Sequence, residues 1–99
     1  MTEHQLLQRG IDANQVLNNE AFKDAFTVLR SAVVEEWKKC PVRDQEGALL
    51  LLQLAKLTDK FESILVGMVE SGKMAQHQID LREVRNESKA RNFMRRVVG

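Results

Sequence analysis

Leu50, Leu54, Leu57, Phe61, Ile64 and Met68 follow one another in alternating steps of four and three residues. An α-helix brings residues at that spacing onto one side, where they need an apolar partner. Leu51, Ala55, Leu65 and Val69 widen the stripe, so the segment predicts a helix over about residues 44–71 that buries a broad face. At 1.5 Å per residue this helix is roughly 40 Å long and forms the spine of the fold. Asp44 is placed to cap its N-terminus, and Glu46 puts negative charge in the first turn, where the helix dipole favours it. Ser71-Gly72 predicts its end, or a kink, through a glycine able to take the left-handed conformation.

Two shorter helices precede it. Thr2 and Gln5 have the spacing of a capping box ahead of Leu6, Leu7, Ala13, Val16 and Leu17, which predicts a helix over about 3–17. Asn18-Asn19 then offers a turn and a second N-cap. Phe22, Ala25, Phe26, Leu29, Ala32, Val33 and Trp37 continue at three- and four-residue steps, giving a helix over about 20–39. Cys40-Pro41 ends it, because the residue before proline is pushed out of the helical region.

From Lys73 onward the apolar stripe thins to Met74, Leu81 and Val84 among polar neighbours. Residues 73–99 hold seven basic and three acidic side chains, against eight basic and eleven acidic in residues 1–72. The expected architecture is therefore all-α: a three-helix core bundle (about 3–17, 20–39 and 44–71) with a polar, basic fourth helix or C-terminal arm. Residues 1–72 would form the helical core and 73–99 an arm of the same single domain, so that a chain cut after Gly72 keeps most of its fold. Phe22, Phe26, Leu29, Val33, Leu50, Leu54, Leu57, Phe61 and Ile64 are the expected core, and truncating Phe26 or Leu57 to Ala should then cost about 2–5 kcal/mol.

Composition excludes several classes. Ninety-nine residues, 43% of them hydrophobic, support one core and no two-domain enzyme. A net charge of +1 gives no global attraction to a polyanion. The single cysteine, Cys40, forms neither an intramolecular disulfide nor a zinc cluster, which points to a reducing cytoplasm. The apolar runs Ala48 to Leu52 and Ile64 to Val69 are too short to span a bilayer, and the N-terminus has no signal-peptide pattern, so no membrane role is expected.

Candidate chemistry is sparse. His4 and His77 lie in different segments without a partner at metal-ligand spacing. Cys40 sits at a helix C-terminus, where the dipole disfavours a thiolate, with Lys38 and Lys39 offsetting this only slightly. Glu35 and Glu36 are adjacent on a helix and point about 100 degrees apart, as solvated carboxylates do. Gly10, Gly47 and Gly67 each cost a helix about 1 kcal/mol relative to Ala, which implies close helix crossing, and no glycine spacing resembles a phosphate loop. Neither catalysis, a metal nor a cofactor is expected.

Surfaces are the more informative feature. Arg91, Phe93, Met94, Arg95, Arg96 and Val97 mix basic and apolar character and suit docking to a protein partner. A nucleic-acid regulator using Lys89, Arg91, Arg95 and Arg96 is the rival, less favoured because Glu83 and Glu87 interrupt the basic stretch. Leu49 and Leu52 extend the apolar arc of the third helix beyond what two helices cover and offer an oligomer face.

Leu6-Leu7-Gln8-Arg9-Gly10-Ile11-Asp12-Ala13, Val16 to Phe22, Trp37 and Gly72-Lys73-Met74-Ala75 together resemble small all-helical proteins encoded by tailed bacteriophages near head and packaging genes. The likeness covers roughly residues 6–75; near Asp44 the chain has Gln45-Glu46 in place of the group's Arg-Glu pair. The resemblance implies an all-α, non-catalytic virion assembly or accessory component. Such a protein would reside in the host cytoplasm or the virion, with another copy, a phage protein or a host protein as partner. Inhibition of a host enzyme fits the same size and fold.

Overall fold

The structure, a computed structural model, describes residues 1–98, with side chains through Arg96. It contains three helices, α1 (Glu3–Leu17), α2 (Glu20–Lys39) and α3 (Gln45–Val98). Each start is capped as the sequence reading expects. In α1 the Thr2 hydroxyl accepts from the Gln5 backbone N–H at 3.2 Å, and the Gln5 side chain accepts from the Thr2 N–H at 2.9 Å. Asn19 accepts from the Phe22 N–H at 2.9 Å, and Asp44 from the Gly47 N–H at 2.9 Å. Together these bonds satisfy some of the N–H groups that a helix start leaves without internal partners.

The three helices do not form a bundle. The Pro41 turn reverses the chain, so α2 and then α1 lie end to end along α3, antiparallel to it. Phe26 stacks on Phe61, with ring centroids 6.1 Å apart, and Arg30 reaches Glu62 at 2.6 Å and Asp59 at 3.4 Å. Further along, Gly10 meets Gly72, and Glu3 pairs with Arg82. The molecule measures 84 × 25 × 16 Å. A helix with its side chains is about 10–12 Å across, so the hairpin is two helices wide and one helix thick.

Two expectations are corrected by this arrangement. The third helix does not stop or kink at Ser71-Gly72, and there is no separate fourth helix: α3 continues for 54 residues. Gly72 serves a different purpose from the one its position suggests. No described residue has positive φ, and a Cβ on Gly10 would lie 2.8 Å from the Gly72 Cα. The two glycines permit backbone contact between α1 and α3, which no larger residue at either position would allow. Buried Ala13, Ala75 and Ile79 surround this crossing, so packing against α1 continues past residue 72. The stretch of α3 beyond the reach of α1 begins after Arg82.

The second correction concerns the core. Of the nine residues expected inside, only Val33 is buried, and Phe22 and Phe26 are half-buried. Leu29, Leu50, Leu54, Leu57, Phe61 and Ile64 are exposed, Leu50 at 64% and Leu57 at 65%. The neighbouring row of α3 takes their place: Leu51, Ala55, Thr58, Glu62, Leu65, Val69, Gly72, Gln76 and Ile79 are all buried or half-buried. That row also advances by four and three, the period that keeps one seam facing a left-handed supercoiled partner. Buried Thr58 satisfies its hydroxyl by donating to the Leu54 carbonyl at 2.9 Å.

Candidate interaction surface

A hairpin one helix thick has two broad faces, and here they differ. On the back face Arg30 bridges α2 to α3 through Asp59 and Glu62, with Lys23 and Thr27 beside it. The front face is apolar. A groove between α2 and α3 is lined there by Ala25, Leu29, Leu54, Leu57 and Phe61, with Phe26 at its floor. Leu50 and Ile64 extend the α3 side of the groove at the same heptad spacing. Beyond Met68 the same row continues as Ser71, buried Ala75 and Gln78, so the exposed apolar strip ends where α2 gives way to α1.

The exposed area reflects the extended shape of the chain. A compact monomer of 11.3 kDa exposes about 5,700 Å², whereas this chain exposes 8206 Å². Its radius of gyration, 23.3 Å, compares with about 13 Å for a compact domain of this length.

Leu49 and Leu52 are exposed, at 54% and 49%. On an ideal helix they lie about 100 and 160 degrees from Leu50, so they flank the polar outer side with Gln53 and Lys56 instead of joining the front strip. The front strip itself, with its small α2 partners Ala25 and Ala32, consists of residues that the sequence pattern places in the core. The legible clue was the second heptad row beginning at Leu51.

The C-terminal residues occupy the end of α3 that no other helix covers. Arg91, Phe93, Met94, Arg95 and Arg96 are all exposed, Phe93 at 65%. Helical spacing puts Ala90, Phe93 and Met94 on one side, and Arg91 and Arg95 on the other. Arg91 pairs with Glu87 at 3.7 Å across one turn. The side chain of Val97 lies outside the described residues. The arm and the front strip lie on different parts of α3, so the structure does not bring the two sets of candidate residues together.

The remaining chemistry is quiet. Among the described residues no group of His, Cys, Asp and Glu is arranged to hold a metal ion. Cys40 sits in the turn, with its Sγ 3.6 Å from the Asp44 carbonyl and 3.9 Å from the Asp44 carboxylate. Its thiol is pushed above the usual cysteine range, first by desolvation and then by the Asp44 charge and hydrogen bond. No described helix is long and apolar enough to cross a membrane.

No protein-family model, curated protein or solved structure matches the chain.

Proposed function

We propose that this chain is a non-catalytic helical interaction protein that works as an oligomer. Its likeness to small helical proteins of tailed bacteriophages supports a role as a virion assembly or accessory component, acting in the host cytoplasm or carried in the particle. The observation that carries the reading is the uncovered front strip on a layer one helix thick. Contiguous apolar surface of this kind marks an interaction site, since leaving it in water forfeits roughly 25 cal/mol per Å².

Sedimentation equilibrium from 1 to 100 μM tests it. A species heavier than one chain is expected across this range, and L54A/L57A should shift the equilibrium toward monomer. A monomer at every concentration overturns the oligomeric reading.

A second reading rests on the free arm. Lys89, Arg91, Arg95 and Arg96 project from a helix without a packing neighbour, a form suited to phosphate contacts. If it binds nucleic acid, affinity should fall steeply with salt, and R95A/R96A should flatten that slope. Absence of binding to duplex DNA and to RNA at low salt rejects it.

A further inference from the structure

We propose that the occupant of the front strip is a second copy of this chain, related by a two-fold axis running along the helices, so that α3 of each copy stacks on α2 of the other. The inference rests on the oligomeric reading above and specifies its geometry. Three observations favour it.

The first is area. The strip runs from Leu50 to Ile64, about 21 Å along α3, across a layer 25 Å wide. That makes roughly 500 Å² per copy, or about 1,000 Å² in all, the size at which a specific interface begins. Closing two such layers face to face yields a four-helix bundle, the common way for paired helices to bury their remaining apolar sides.

The second is size. The α3 side of the strip carries large residues, Leu50, Leu54, Leu57, Phe61 and Ile64, whereas the α2 side carries Ala25 and Ala32 a heptad apart with Leu29 between them. Two faces of this kind can meet in two symmetric ways. An axis across the helices stacks α3 on α3, setting large residues on large and leaving Ala opposite Ala. An axis along the helices sets the Leu row of each copy over the Ala-lined row of the other, where large and small side chains interdigitate.

The third is charge. Lys56 and Lys60 lie on the outer edge of α3, away from α2, and Asp24 and Glu35 lie on the outer edge of α2, away from α3; all four are exposed. Of these, only Glu35 has an ion-pair partner among the described residues, Lys38 at 3.9 Å. A lengthwise axis lays the lysine edge of α3 along the acidic edge of α2 of the other copy. The crosswise axis instead sets the lysine edge of one copy against the lysine edge of the other, a repulsive match.

Disulfide trapping distinguishes the arrangements. In a background with Cys40→Ser, chains carrying A32C are mixed with chains carrying L54C and oxidised. The level pairing of α2 with α3 predicts a mixed disulfide between the two chains and little self-linking of L57C, because the two α3 helices lie diagonally. Rapid self-linking of L57C without the mixed product overturns the lengthwise axis in favour of the crosswise one. A dimer by sedimentation that forms neither link overturns the use of this face while leaving self-association intact; a monomer overturns both. As a second measurement, K56E/K60E should weaken association on the order of tenfold, and mixing that variant with D24K/E35K should restore it. Failure of the charge swap to restore binding counts against the lengthwise pairing even where a dimer persists.

Discussion

At the residue scale, the four described glycines show that one residue type answers to different local demands. Gly10 and Gly72 allow two helix backbones to touch, Gly47 lies beside the capping carboxylate of Asp44, and Gly67 has open space around the position of a Cβ. The consequences for substitution are opposite in sign. Gly67→Ala should stabilise the protein by about 1 kcal/mol through helix propensity. Gly10→Ala forces α1 away from α3, and overpacking of about 1–3 kcal/mol outweighs the same propensity gain. Urea denaturation of the two variants under identical conditions checks the contrast; equal effects would mean that the helices do not cross at Gly10. Cys40 gives a second residue-level expectation. A raised thiol pKa leaves less thiolate near neutrality, so alkylation by iodoacetamide at pH 7.5 should be slower than for an unperturbed cysteine, and Asp44→Asn should speed it. The linkage has the matching sign: the contribution favouring the fold is present below the unfolded thiol pKa and is lost as pH rises through the folded one.

At the element scale, α3 is three stretches with different partners. Residues 45–65 pair with α2, and those from Leu65 to Arg82 with α1. The rest extends alone, held by intrahelical bonds and pairs such as Arg91 with Glu87, worth only about 0.2–0.5 kcal/mol each. Two truncations separate these roles. Ending the chain after Arg82 should leave the unfolding midpoint almost unchanged, since every described residue it removes is exposed. Ending it after Gly72 removes buried Ala75 and Ile79 and the Arg82 partner of Glu3, so α1 should detach and melt. Circular dichroism would show the second truncation losing more helix than the deleted residues account for. If both fragments melt alike, α1 is not docked where the structure places it.

At the scale of the whole molecule, the position of the arms would report the symmetry of the proposed dimer. A two-fold axis along the helices sends both arms out of the same end, and a crosswise axis sends them out of opposite ends. Spin labels at residue 89, introduced as K89C in the Cys40→Ser background, should then lie within about 40 Å of each other, given helix spacings of 8–10 Å within a bundle. The crosswise axis, passing near Leu57, would separate them by about 95 Å at 1.5 Å per residue. Under the lengthwise axis, two basic arms side by side would double the charge presented to a partner at that end.

Local chemistry was legible in the sequence wherever a single segment carries the information. Thr2, Asn19 and Asp44 mark helix starts because a short polar side chain can satisfy the N–H groups just ahead of it, and Cys40-Pro41 marks an end because proline excludes the helical conformation before it. The presence of an apolar face on α3 was equally legible, since periodicity depends only on the order of residues. Which of two adjacent rows would pack within the chain was not. The row from Leu50 to Ile64 is the more apolar, but the row from Leu51 to Ile79 includes the glycine that lets α1 approach, and it runs the full length covered by both short helices. That choice depends on close fit between segments more than sixty residues apart, as Gly10 and Gly72 are, and hydrophobicity along one segment carries no record of it. Tertiary structure therefore decided that the strongest apolar stripe stays on the outside.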